Sequence, residues 1–239
     1  MADERRRRIL KQLVPDGATE PKRLCNVCAE VVGVTGAGIM LMAGGVPRGS
    51  VCTTNEVSLL VEELQYALGE GPCVDAYNLN EPVLEPDLAA PSVPRWLAFT
   101  QPAVEAGVRA IFGFPLQVGA VRLGALNLYC DSPGSLSGER HADALAMADI
   151  AAQAVLVLQA KAPPGELAAA LETGSDFQWV VHQAAGMVSV QLGVSVALAL
   201  VRLRAHAFGN NRSLREVAQD VVGRRLRFDA QSGEKDPRP

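Results

Sequence analysis

A mixed α+β layer built on an antiparallel sheet, followed by an all-α three-helix unit, is the fold this sequence predicts, on three observations. Short apolar runs paired around glycine turns alternate with amphipathic helical stretches, in the order hairpin, helix, hairpin, helix. The run Ala162-Pro163-Pro164-Gly165 cannot continue a helix and marks a boundary. Past that boundary the charge changes sign. Phe177 to Phe228 carries seven arginines (202, 204, 212, 215, 224, 225 and 227) against two acids, Glu216 and Asp220, whereas Gln12 to Gly165 holds eight basic and sixteen acidic residues. A formal net charge of -4 over 239 residues therefore hides an acidic body joined to a small cationic unit. The expected divisions are an N-terminal helical segment at 1–19, an α+β domain at 20–162, a linker at 163–175, a helical domain at 176–229 and a disordered tail at 230–239.

Arg5 to Leu13 reads as a short helix stopped by Pro15 and Gly17. Glu20 to Val32 reads as a second, with Leu24, Val27, Cys28 and Val31 spaced for one buried face. Ala37 to Ala43 is a buried strand, Gly44-Gly45 its turn and Arg48 to Thr54 the hairpin partner. Asn55 is placed to cap a helix that runs through Leu68 and ends at Gly69. Glu70 to Pro94, rich in proline and acids, is expected to be loop with a short strand near Pro82 to Leu84. A helix is expected over Ser92 to Ala106, carrying Trp96 and Phe99. Val108 to Val118 and Arg122 to Tyr129 form the second strand pair, turning at Gly119, and Ser137 to Lys161 a long amphipathic helix.

Three helices follow the boundary. The first covers about Asp176 to Gln191, with an apolar arc from Phe177 to Val190. The second is capped by Ser195, carries Val196, Ala199, Leu200, Leu203 and Ala207 at helical spacing, and is expected to close at Gly209. Ser213-Leu214-Arg215-Glu216 is a capping box that opens the third. Asp220 and Arg224, four apart, are spaced to pair. Positive charge gathered on a short helical unit is the electrostatic footprint of nucleic-acid binding.

Composition narrows the rest. Nearly half the residues are apolar and a fifth charged, which is ordinary globular composition. No secretory leader pattern is legible and no membrane-spanning stretch is expected, so the reading is a cytoplasmic protein without a membrane partner. Three histidines (141, 182 and 206), none in triad or metal spacing, and no phosphate-cradling glycine motif argue against an enzyme and against a bound metal. Five cysteines (25, 28, 52, 73 and 130) do not make a secreted disulfide framework. Cys25-x-x-Cys28 is read as buried reduced thiols, with a redox pair or half a metal site as the alternatives.

The motifs LGEGPCVDA (Leu68 to Ala76), GVRAIFGFPL (Gly107 to Leu116) and LGALNLY (Leu123 to Tyr129) resemble the GAF sensor fold over roughly residues 20–160. The resemblance implies a GAF-like sheet flanked by helices, a dimerisation role and a small ligand of unknown identity held over the sheet, with Cys73, Trp96 and Phe112 as candidate contacts. The Asn-Lys pair with later Phe and Asp-Glu that marks cyclic-nucleotide binders of this family does not occur. Downstream, VHQAAGMV (Val181 to Val188), ALVRLRAHA (Ala199 to Ala207) and SLREVAQDVV (Ser213 to Val222) resemble the ANTAR domain, an RNA-binding antitermination module. The chain as a whole thus resembles a GAF–ANTAR regulator of the actinobacterial type. That implies a homodimer which binds paired RNA stem-loops in nascent transcripts, with no cofactor. Ala184 and Gly186 match the first motif, Leu203, Arg204 and Ala207 the second, and Leu214, Val217 and Ala218 the third. Where that first motif often carries Lys, this chain has Ala185, which moves the expected phosphate contacts to Arg202, Arg204, Arg212 and Arg215. Aromatic or near-aromatic stacking candidates are His182, His206 and Phe208, beside Phe177, Trp179 and Phe228. Two other classes stay open: a protein-interaction regulator docking an acidic partner, and a ligand- or redox-responsive DNA-binding protein.

Overall fold

The computed structural model describes residues 2–13, 21–161, 176–210 and 212–229. The expected breaks at Pro15 and Gly17, the linker at 163–175 and the tail at 230–239 lie outside them. The chain divides into two compact units, Met1–Gly174 and Ser175–Pro239.

In the first unit the described elements run α1 (Ala2–Leu13), α2 (Pro21–Val32), β1 (Gly36–Ala43), β2 (Val46–Thr53), α3 (Glu56–Leu68), α4 (Pro72–Leu79), β3 (Val83–Glu85), α5 (Thr100–Glu105), β4 (Ala110–Val118), β5 (Val121–Cys130) and α6 (Gly138–Lys161). The five strands form one antiparallel sheet ordered β2-β1-β5-β4-β3. Gly44 and Gly45, both at positive φ, make the tight β1–β2 turn, a backbone that side chains with a Cβ resist. Side chains alternate between faces along each strand, so the two faces carry two cores. On one, Ile39, Phe112, Phe114, Leu126 and Leu128 pack with α1, α2 and α6. On the other, Ile111, Ala125 and Tyr129 pack with Val61, Cys73, Ala76, Trp96 and Phe99. Close backbone approach fixes the β1–β5 pairing and the seat of α4 on the sheet. A Cβ at Gly124 would overlap the Met40 carbonyl on β1, and one at Gly113 would overlap the Pro72 carbonyl at the start of α4.

The expected hairpins, the Asn55 cap and the helix end at Gly69 are all present; the cap proves to be a full capping box with Ser58, and Gly69 is left-handed. Three expectations are corrected. Glu70 to Pro94 is not all loop: Pro72, whose missing N–H suits a first helical turn, opens α4. The helix placed over Ser92 to Ala106 shrinks to Thr100–Glu105. Pro94 disfavours helix before it, Trp96 sits at φ 53°, and the Glu70 carboxylate accepts the Ala98 and Phe99 N–H groups at 2.7 and 2.8 Å. A membrane-length apolar helix, expected nowhere, does occur: Gly138–Ala160 of α6 has the length and hydropathy to cross a membrane, and Ala144, Met147, Ile150, Ala151 and Val155 of that span are buried in the sheet's core.

The N-terminal arginines serve packing. Arg5 and Arg8 both reach the buried Asp143 carboxylate of α6, at 2.6 and 2.7 Å, and Arg6 bonds Asp149 and Gln153. The cysteine reading is also corrected. Cys25 is not a reduced thiol beside Cys28 but is bonded to Cys52 of β2, with a Cα–Cα distance of 6.0 Å. The helix α2 packs on β2, which brings its inner face against the sheet edge that carries Cys52.

In the second unit α7 (Asp176–Leu192), α8 (Val196–Gly209) and α9 (Leu214–Val222) pack pairwise around Val181, Ala184, Val188, Leu200, Leu203, Leu214, Val217 and Val221. Ser195 caps α8 by accepting the Leu198 N–H, and the Ser213/Glu216 capping box opens α9. The end of α8 differs by one residue: Gly209 stays helical, and the N–H of Asn210 closes the turn on the His206 and Phe208 carbonyls.

Candidate nucleic-acid interface

Positive charge on the second unit is of two kinds, paired and presented. Arg212 precedes α9 and its guanidinium donates to Asp220 Oδ2 at 2.6 Å, while Arg225 donates to Oδ1 at 2.7 Å. These two donors, Arg212 first, hold the Asp220 carboxyl below its ordinary pKa. The expected Asp220–Arg224 pair does not form: Arg224 lies just past the helix at φ 57°, and Arg212 and Arg225 occupy the two Asp220 oxygens. Arg227 lies 3.7 Å from Asp229.

Arg202 and Arg215 are different. Both are exposed, and among the described residues neither engages an acid. Arg202 leaves α8 on the side away from its buried row Ala199, Leu200, Leu203 and Ala207. Arg215 and Asp220, five residues apart, project about 140° from each other at roughly 100° per residue, so Arg215 escapes the carboxylate that holds its neighbours. Arg204 is half-buried on the flank of α8 and has interactions of its own.

The remaining sequence candidates fall into distinct settings. Ala184 is fully buried and packs the bundle; Gly186 is partly exposed with open space where a Cβ would stand. His206 meets Phe228 edge to face at 5.2 Å, and His182 is half-buried and engaged. Trp179 and Phe208 are 57% and 73% exposed, so neither belongs to the core of this unit. Phe208 shares the outer side of α8 with Leu198 and Val201, which are exposed too.

In the first unit the three proposed ligand contacts do not converge. Cys73 and Trp96 lie in the core under α3, α4 and α5, whereas Phe112 points through the opposite face towards α2 and α6. Trp96 is buried, donating its indole N–H to Asp75 at 2.8 Å, with the Arg95 guanidinium 4.6 Å from its ring centroid. Beside Cys73 stands a polar cluster that the sequence reading passed over. Glu62, Gln65 and Asn127 are all buried. Gln65 Oε1 accepts the Cys73 N–H at 2.7 Å, and Asn127 Nδ2 lies 3.5 Å from Glu62 Oε1. Glu62 Oε2, Gln65 Nε2 and Asn127 Oδ1 have no partner among the described residues. Burial pushes the Glu62 carboxyl up to about 8, against the lowering effect of the Asn127 bond. Burial and then the nearby Glu62 push the Cys73 thiol up too, so it stays protonated. The signal was present in the sequence: Ser58, Val61, Glu62, Gln65 and Tyr66 lie on one helical stripe, the inner face of α3. Among the described residues no group of three His, Cys, Asp or Glu side chains could hold a metal ion.

Comparison with known proteins bears on both units. The GAF domain family model matches residues 22–156, and the ANTAR domain model matches residues 166–222. Among solved structures, the GAF domain of a phosphoenolpyruvate-protein phosphotransferase from Coxiella burnetii is similar, at 18% identity and a TM-score of 0.51, over 67% of this chain and 95% of that one. The GAF domain of the Acinetobacter phosphoenolpyruvate-protein phosphotransferase matches at 13% identity and TM-score 0.48, over 67% and 95%. A type II free methionine-R-sulfoxide reductase from Thermoplasma acidophilum matches at 18% identity and TM-score 0.44, over 64% and 94%. No curated protein matches the chain.

Proposed function

The chain belongs to the GAF domain family and carries an ANTAR domain behind it, and from that premise we propose that it is a transcription antitermination regulator. In this reading residues 20–162 sense a signal and residues 176–229 bind paired stem-loops in a nascent transcript, preventing a competing terminator hairpin. The observation that carries it is the ANTAR match laid over a helical bundle that presents Arg202 and Arg215 without acidic partners among the described residues. Guanidinium groups suit phosphate because their planar N–H forks bond two oxygens at once. Arg204 and Arg212 stand second: Arg212 reaches phosphate only by giving up Asp220. His182, His206 and Gly186 line the same unit as supporting contacts, while Ala184 acts through packing. Phe208, exposed on α8 about 120° around the helix from Arg202, is available to stack on an unpaired loop base. A homodimer suits two stem-loops on one transcript, since the second contact is then made at high effective concentration. On the sensing side the seat for a small ligand is the face with Cys73, Trp96 and the Glu62–Gln65–Asn127 cluster; Phe112 supports the sheet from the other side. No enzymatic role is part of this reading.

In vitro transcription tests it. On a template with two stem-loops ahead of an overlapping terminator, the full chain raises read-through severalfold, and disrupting one stem-loop removes the gain. Read-through that ignores the protein, or that rises equally without the stem-loops, rejects the assignment. A second reading, docking of a protein partner by the bundle, is favoured by one observation, the exposed apolar side of α8 formed by Leu198, Val201 and Phe208. Under it, alanine at Leu198 and Val201 abolishes partner capture and leaves RNA affinity intact.

A further inference from the structure

One disulfide and three thiols share this chain: Cys25 is bonded to Cys52, while Cys28, Cys73 and Cys130 are unbonded. The bond joins the inner face of α2 to β2, the edge strand of the sheet, and α2 in turn packs on α1 and α6. Its two sulfurs are unequally placed. Cys25 is fully buried. Cys52 is 8% exposed and lines a surface cleft of about 420 Å³ together with Lys22, Thr54, Asn55, Glu56 and Leu59. Cys28, one helical turn beyond Cys25, is no internal competitor: burial pushes its thiol pKa far up, so it is not a thiolate.

We propose that Cys25–Cys52 is a reversible thiol-exchange site, entered by low-molecular-weight thiols and disulfides through the cleft at Cys52, and that it latches α2 to the edge strand. In the opening direction a small thiolate attacks Cys52 Sγ, the S–S bond breaks, and Cys25 leaves as a thiolate that takes up a proton. Cys52 is then a mixed disulfide. A second small thiolate attacks the outer sulfur of that adduct and departs as the symmetrical disulfide, leaving Cys52 as a thiolate. Two electrons pass from two small thiols to the cysteine pair, and the small disulfide reverses both steps. Lys22, on the cleft wall, favours the thiolate forms. Opening removes the covalent tie between α2 and β2 while the packing of α2 on β1, β2 and α6 remains, so the change is confined to the edge of the unit.

The test uses the full chain purified without reductant, buffers of reduced and oxidised glutathione, pulse labelling with N-ethylmaleimide and peptide mapping by mass spectrometry. Before reduction Cys25 and Cys52 resist the label while Cys130 takes it. In excess reduced glutathione the bond opens with the protein still folded by circular dichroism, and the glutathione adduct forms on Cys52 at least tenfold more than on Cys25. Oxidised glutathione restores the bond. In the Cys25→Ser variant the adduct accumulates on Cys52, and in Cys52→Ser the buried Cys25 stays at least tenfold less modified. If either variant does not fold, the adduct ratio in the unmutated chain decides. Labelling of both cysteines in unreduced protein, opening only in denaturant, or an adduct mainly on Cys25 each overturns the proposal.

Discussion

Alanine at both Arg202 and Arg215 lowers the affinity of the full chain for an RNA stem-loop by about 100-fold, at roughly tenfold for each lost charge-assisted hydrogen bond. Both side chains are exposed, so the variant keeps the circular dichroism and melting temperature of the parent. The slope of log affinity against log salt also flattens by about 1.4, because two phosphate contacts are lost at roughly 0.7 each. Arg225→Ala is the matched control, since it removes the same charge from an arginine already held by Asp220. A double variant that binds like the parent, or a control that loses as much, removes these two arginines from the interface.

Glu62→Gln abolishes a pH dependence of stability in the first unit. The carboxyl is pushed up to about 8 by burial, far above the value of roughly 4.3 it has when the chain is unfolded. Between those two values the folded protein holds a proton that the unfolded chain has released. Stability is therefore full below about 4.3 and is lost as pH rises through about 8, a change on the order of a few kcal/mol. Glutamine keeps the shape and cannot ionise, so its urea midpoint stays level between pH 6 and pH 9 while that of the parent falls. Parallel declines in the two proteins would show that the slope comes from another group.

Local signals carried much of the fold. The glycine turn at Gly44-Gly45, the capping residues Asn55, Ser195 and Ser213, and the alternation along β4 and β5 are each written within a few residues, and each element stands where they place it. What was missed depends on partners distant in sequence. The short α4 is hidden in a stretch whose composition reads as loop, and it is held by packing on β4 and β5. Trp96 looked helical until Pro94 and the reach of Glu70 to the Ala98 and Phe99 amides intervened. Cys25 drew attention to Cys28 because they are three residues apart, yet its sulfur meets Cys52, 27 residues on and across the sheet edge.

The candidate site divides the same way. Total arginine content was plain in the sequence, but which cations are presented was not, because Asp220 takes Arg212 from eight residues before it and Arg225 from five after. Phe112 and Cys73 were read together as candidate ligand contacts, but strand register, with Phe112 opposite Leu128, sends Phe112 to one face of the sheet, while Cys73 sits on α4 over the other.

Central to all of this is direct recognition of folded RNA by the cationic helices. Filter binding of the intact protein to a labelled hairpin, beside an unfoldable strand of identical composition, at low and moderate salt, puts that recognition to trial. The hairpin should bind at least tenfold tighter, with affinity dropping steeply as salt rises. Equal retention of the two strands, or binding indifferent to salt, would contradict it.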